Sequence, residues 1–285
     1  MSVRAFVASA VAGLTQPVAQ FARTGIVKGA MSKHLIPREH GAYAELGFPL
    51  LSGLVLGSAG GASWFFAAAA IFLFVANEPL LVLLGARGKR LQQELAVPAR
   101  WQFTRLGGLG VAAGLAALWL APPVARWLAL VPAVLAAGLV PVVLSRNLKT
   151  LPGEVVAGAA FSAMHLPVAA AGGVGGVALW GPPVMWFVVT VTATLAVHAI
   201  KSRVTGAAPW VVPASTWVAR LALLAALVTW VWVPDWRTVA LAASLPLAGI
   251  VVVNRLALSP RKLKQVGWAV VAANALAVTL LALGK

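Results

Sequence analysis

Few side chains in this 285-residue chain can do acid–base or ligand chemistry: six Asp and Glu, four His and no Cys. Several lie inside apolar stretches. Asn77 and Glu78 sit within FVANEPLLVLLGARGKR, which starts apolar and ends in Arg87, Lys89 and Arg90. A carboxylate in hydrocarbon costs at least about 2.5 kcal/mol on insertion scales, so Glu78 needs a cation or a function. His165 lies in an apolar run that opens at Glu154. His198 precedes Lys201 by three residues, and Arg220 lies within another apolar run. Glu39, His40, Glu78, Glu154, His165 and His198 are all suitable hard or intermediate metal ligands, but no pair has dedicated spacing such as HExxH. Asp235 is the only Asp, so a Ser-His-Asp constellation has no buried acid. There is no phosphate-cradling GxxxxGK motif.

Rise per residue gives approximate depths. Counting from the nearest basic or acidic marker, Glu45 lies roughly 10 Å, Glu78 roughly 13 Å, Arg220 roughly 14 Å and His165 roughly 16 Å from the same membrane surface, with His198 close to it. Phase adds to depth. Eleven residues return to within about 20° of the start, so Glu154 and His165 share one face, as do Glu78 and Lys89. Thr190, Thr194, His198 and Lys201 make one polar stripe, which should face the bundle interior or water and not lipid. Pro79 and Pro167 leave the Val75 and Ala163 carbonyls without helical donors. The expectation is a polar cavity with Glu78 and His198 as the reactive pair. Asn77, His40, Glu45, Arg87, Glu154, His165, Lys201, Arg203 and Arg220 would bind ligand around it, Arg220 being the expected partner of Glu78.

These residues must be positioned by membrane helices. The chain is 61% hydrophobic and 10% charged, against roughly 25% charged in soluble domains. Long continuous apolar runs fit α-helical spans and not alternating barrel strands. The expected fold is all-α: a polytopic bundle of about nine spans near 43–59, 63–85, 106–120, 127–144, 154–171, 179–200, 211–233, 239–253 and 268–283. Residues 1–36 read as a disordered or interfacial amphipathic extension, with Met31 an alternative start, and 37–285 as one transmembrane domain.

The net charge is +16. Nearly all Lys and Arg fall in connections after even-numbered spans, which sets the N-terminus and those connections in the cytoplasm and the C-terminus outside. Basic residues spread over short loops, not over one soluble face, argue against nucleic-acid binding. Arg87, Lys89, Arg146, Lys201 and Arg203 flank the expected cavity and suit an anionic head group or diphosphate.

IPREHGAYAELGFPLLSG, ANEPLLVLLGARG and VHAIKSR resemble the YwiC-like family of bacterial multi-pass membrane proteins, from about Met31 to the last span. That resemblance implies location in the bacterial cytoplasmic membrane and no particular chemistry. The chain also resembles, more distantly, the UbiA-type intramembrane prenyltransferases. That family has nine helices, an inside N-terminus and acidic motifs on helices 2 and 6. Asn77-Glu78 stands where the first motif begins, so the resemblance implies an isoprenoid substrate and magnesium. Here the following positions are Leu81, Val82 and Gly85, and span 6 offers His198, Lys201 and Arg203, so the identity of any metal stays open. Two functions follow. One is a UbiA-like binder, or transferase, of an anionic isoprenoid or lipid. The other is a transporter or permease with Glu78, His165 and Arg220 as a relay. The charge asymmetry makes a direct prediction: a reporter fused after Lys285 that works only in the cytoplasm stays silent, and a strong signal would mean the spans are miscounted by one.

Overall fold

The computed structural model describes residues 35–37, 40–145 and 147–285, with His40 described by its backbone alone. Expectations for residues 1–34, Arg38, Glu39, Arg146 and the His40 side chain therefore fall outside the described residues. Eleven α-helices follow: α1 His40–Leu56, α2 Gly61–Leu83, α3 Lys89–Leu120, α4 Pro123–Leu128, α5 Leu130–Leu144, α6 Leu151–Ala163, α7 His165–Ala171, α8 Gly176–Thr205, α9 Val211–Trp232, α10 Arg237–Arg255 and α11 Leu263–Leu283. Two pairs are single broken rods. Pro132 cannot donate to the Leu128 carbonyl, nor Pro167 to that of Ala163, and each helix breaks three residues before its proline.

Eight segments are long and apolar enough to cross a membrane, counting α4–α5 and α6–α7 as one each, and α1 is a shorter apolar helix. Together they give the expected polytopic helical bundle. One boundary differs markedly from expectation. The third span begins at Lys89, because the basic stretch through Arg105 continues the helix into a 32-residue rod. Lys89 thus belongs to α3 and cannot share a face of α2 with Glu78.

The short helix α1 is central. It packs on α2, α6, α7, α8 and α11. Leu46 and Leu50 enter a core with Phe66, Leu166, Val168 and Leu179. Phe48 enters a second core with Trp186, Val189, Leu247 and Leu281, its ring stacked on Trp186 at 5.7 Å between centroids. Seventeen residues suffice because α1 is walled by protein. Its approach to α7 is set by glycine: a Cβ on Gly57 would lie 3.0 Å from Gly172 Cα, a backbone atom that cannot yield. The Ser58 amide donates to the Gly172 carbonyl across this contact at 2.9 Å. Helices α3, α4–α5, α9 and α11 are mostly exposed and apolar, as a lipid-facing shell requires.

Connections after α2, α5, α8 and α10 carry the Lys and Arg runs and define a basic end. The far end carries the α1–α2, α3–α4, α7–α8 and α9–α10 connections.

Candidate functional site

Three polar groups are built into the helices. The first lies near the basic end of α2. Gly85 (φ +68°) and Gly88 (φ +102°) turn the chain back on itself, in a region other residues enter at a cost. Gln92 Nε2 fastens the turn by donating to the Leu83 carbonyl at 2.7 Å. The turn returns Arg87 to Glu78. Arg87 Nε donates to Oε1 at 2.7 Å and Nη2 to Oε2 at 2.6 Å, a two-point pair with only 8% of the Glu78 side chain exposed. Beside it, Leu35 is buried among Val82, Leu95 and Ala99, and Gln102 Nε2 donates to its carbonyl at 3.2 Å. The Tyr43 hydroxyl donates to the Pro37 carbonyl at 3.0 Å.

The second group ties α6 to α8 and α8 to α10. Thr150 caps α6 by accepting from the Gly153 amide. Four residues on, Glu154 Oε2 lies 2.9 Å from His198 Nε2, with both side chains partly exposed. Lys201 is exposed. Arg203 Nη2 donates to the Asn254 carbonyl at 3.2 Å, in the last turn of α10, where helical donors run out. Asn254 is itself held: Ser215 Oγ donates to its Oδ1 at 3.1 Å, and its Nδ2 donates to the Ser215 carbonyl at 3.2 Å. Arg203 Nη1 is buried with no hydrogen-bond partner.

The third group is in the far half. Pro182 leaves the Ala178 carbonyl without its helical donor. His165 Nε2 lies 3.1 Å from that oxygen and replaces the donor. A carbonyl only accepts, so Nε2 carries a proton; Nδ1 lies 2.8 Å from Ser52 Oγ, whose single hydrogen also has the Pro49 carbonyl at 2.8 Å as an acceptor. Trp186 Nε1 donates to the same Ser52 oxygen at 3.0 Å. The imidazole has no exposed surface, and both ring nitrogens have a partner.

Measured against the expected cavity, the residues separate. Glu78 pairs with Arg87; Arg220 is exposed and lies over the Trp217 ring at 5.5 Å, so it is not the partner of Glu78. His165 does not join the basic-end set, since its acceptor is the third residue of α8, at the far end. The helix break at Met164 also interrupts the face it was expected to share with Glu154. Glu78 is on α2, which packs on α1, α3 and α7; His198 is on α8, which packs on α1, α6, α7, α9 and α10. Both helices share α1 and α7 as neighbours, but the two side chains have different partners, Arg87 and Glu154. Asn77 and Glu45 are half-buried on α2 and α1. Ser52, Trp186, Ser215 and Asn254 were not anticipated. Proline four residues after Ala178 is the sequence signal that could have pointed to the first two.

Magnesium does not fit these residues. Among the described residues no three of His, Asp and Glu come together as ligands. Both Glu78 oxygens accept from a guanidinium, whereas a bridging diphosphate site needs free carboxylates.

A family model described as YwiC-like protein matches residues 36–170, which bears out that resemblance over α1 to α7. The matched stretch contains Ser52, Glu78, Arg87, Glu154 and His165, and stops before His198, Arg203 and Asn254. No curated protein matches the chain, and no solved structure does either, so the UbiA-like arrangement gains no support from known folds.

The Glu78–Arg87 pair yields a stability prediction. Glu78→Gln removes the two-point hold on the guanidinium and costs about 1–3 kcal/mol, read as a lower unfolding midpoint in detergent. Adding Arg87→Gln restores part of the loss, whereas Arg220→Gln restores none. Recovery with Arg220→Gln and not with Arg87→Gln would overturn the pairing.

Proposed function

We propose that this integral membrane protein lies in the bacterial cytoplasmic membrane with its basic end in the cytoplasm, and holds the anionic head of an isoprenoid or lipid there. The orientation rests on the +16 charge and its concentration at one end. The ligand reading rests on Arg203. One side of its guanidinium is fixed by the Asn254 carbonyl, and Nη1 is buried with nothing to donate to. A guanidinium anchored at one nitrogen and left with an unmet, buried donor at another has a hydrogen-bonding demand that a phosphate oxygen would meet on reaching it. Exposed Lys201, two residues earlier, adds charge at the same end. Ser215 and Asn254 hold the anchor in place across α9 and α10. His198 contributes through Glu154, whose charge keeps the imidazole oriented at the rim.

A transferase would be the enzymatic form of this reading, with these cations holding the head of the transferred chain. The carboxylates do not form its metal site, so binding is the part the geometry supports. A relay through Glu78, His165 and Arg220 has no comparable support, because each has a different partner on a different helix.

Mass spectrometry of lipid extracted from purified protein tests the proposal. An anionic isoprenoid or phospholipid should be enriched over the bulk membrane in the native protein. It should fall to the bulk level in Lys201→Gln/Arg203→Gln, with the unfolding midpoint followed in parallel. Equal retention by the native and doubly substituted proteins would contradict it.

A further inference from the structure

A seam of hydroxyl groups runs between α6 and α8 from the Glu154–His198 pair into the membrane. On α8, Trp186, Thr190, Thr194 and His198 recur every four residues and share a face. Thr190 and Thr194 are 6% and 7% exposed. The helices meet at Gly158, one turn past Glu154, where a Cβ would come within 2.6 Å of Thr190 Cγ2. One turn further, Ser162 Oγ is buried with no hydrogen-bond partner. Among the described residues the Thr190 and Thr194 hydroxyls have no protein partner either. Unlike Ser162 Oγ, they are not sealed from water.

The two unpartnered hydroxyls of Thr190 and Thr194, between neighbouring helices, are costly unless water meets them. One helical turn separates successive hydroxyls by roughly 6 Å, a gap that a single water can bridge. A residue as apolar as valine would pack Thr190 and Thr194 positions equally well if the seam were dry, and the four-residue recurrence of polar groups ends at a titratable pair open to solvent.

We propose that the α6–α8 seam is a water-filled crevice admitting water, protons and small polar solutes from the basic end, past Glu154–His198, to Thr194 and the rim of Thr190, and closing where Gly158 meets Thr190, short of Ser162. It does not depend on the ligand reading, because Arg203 is turned to Asn254 and takes no part in the seam.

The chain has no cysteine, so single substitutions report directly. Thr194→Cys, Thr190→Cys, Ser162→Cys and the control Val184→Cys are reconstituted in liposomes. Val184 is 54% exposed on the lipid side of the same helix. The probe is a small, charged, membrane-impermeant methanethiosulfonate reaching both ends. Only the thiolate reacts, and apolar surroundings suppress it about tenfold per unit of pKa rise. Thr194→Cys should react about tenfold or more faster than Val184→Cys. Thr190→Cys should fall between them, and Ser162→Cys should be as slow as the control. These near-isosteric changes leave the unfolding midpoint close to native. Thr194→Cys and Thr190→Cys reacting no faster than Val184→Cys would overturn the crevice.

Discussion

In hydrocarbon a backbone carbonyl deprived of its helical donor has no water to turn to. This chain places proline inside helix after helix, and the bundle depends on how the freed carbonyls are met. At Pro132 and Pro167 the helix breaks and restarts. At Pro182 it continues, because His165 reaches from α7 to the Ala178 carbonyl. That one donation places a proton on Nε2, while Nδ1 meets Ser52 Oγ, which also reaches the Pro49 carbonyl and accepts from Trp186. Helices α1, α7 and α8 are therefore locked at one point. The glycine contacts at Gly53 and Gly57 bring α1 close enough to α7 for Ser52 to take part.

The basic end is organised differently. There the ties are side chains meeting charges or helix ends: Arg87 on Glu78, His198 on Glu154, Arg203 on the Asn254 carbonyl. Water reaches these groups in part, so they are adjustable where the far-half network is not. The proposed ligand site at this end and the rigid network at the other lie on opposite sides of the same solvent boundary. The matched YwiC-like stretch covers the rigid core around His165 and the Glu78–Arg87 pair, while the Arg203 anchor lies on helices beyond it.

Much of the bundle was legible from apolar runs and loop charge, because hydrocarbon leaves helices few alternatives. Partners were less legible, for physical reasons. Glu78 was given the buried-looking Arg220, but depth along a helix says nothing of which way a side chain faces, and Arg220 faces outward over Trp217. The true partner, Arg87, is nine residues away, and reaches Glu78 only because Gly85 and Gly88 adopt positive φ. His165 was set beside Glu154 by counting along a straight helix, and the break at Met164 removed that premise. The stripe of Thr190, Thr194 and His198 survived, since α8 is continuous through it. The Glu154–His198 contact needed tertiary pairing of α6 with α8, which no single-helix pattern encodes.

The protonation site on His165 reports most directly on this account. Nitrogen-15 NMR of histidine-labelled protein, with His165→Gln identifying the signal, distinguishes the ring tautomers. The expected result is a ring protonated at Nε2, donating to the Ala178 carbonyl. A ring protonated at Nδ1 alone would contradict the network on which the helix core is built.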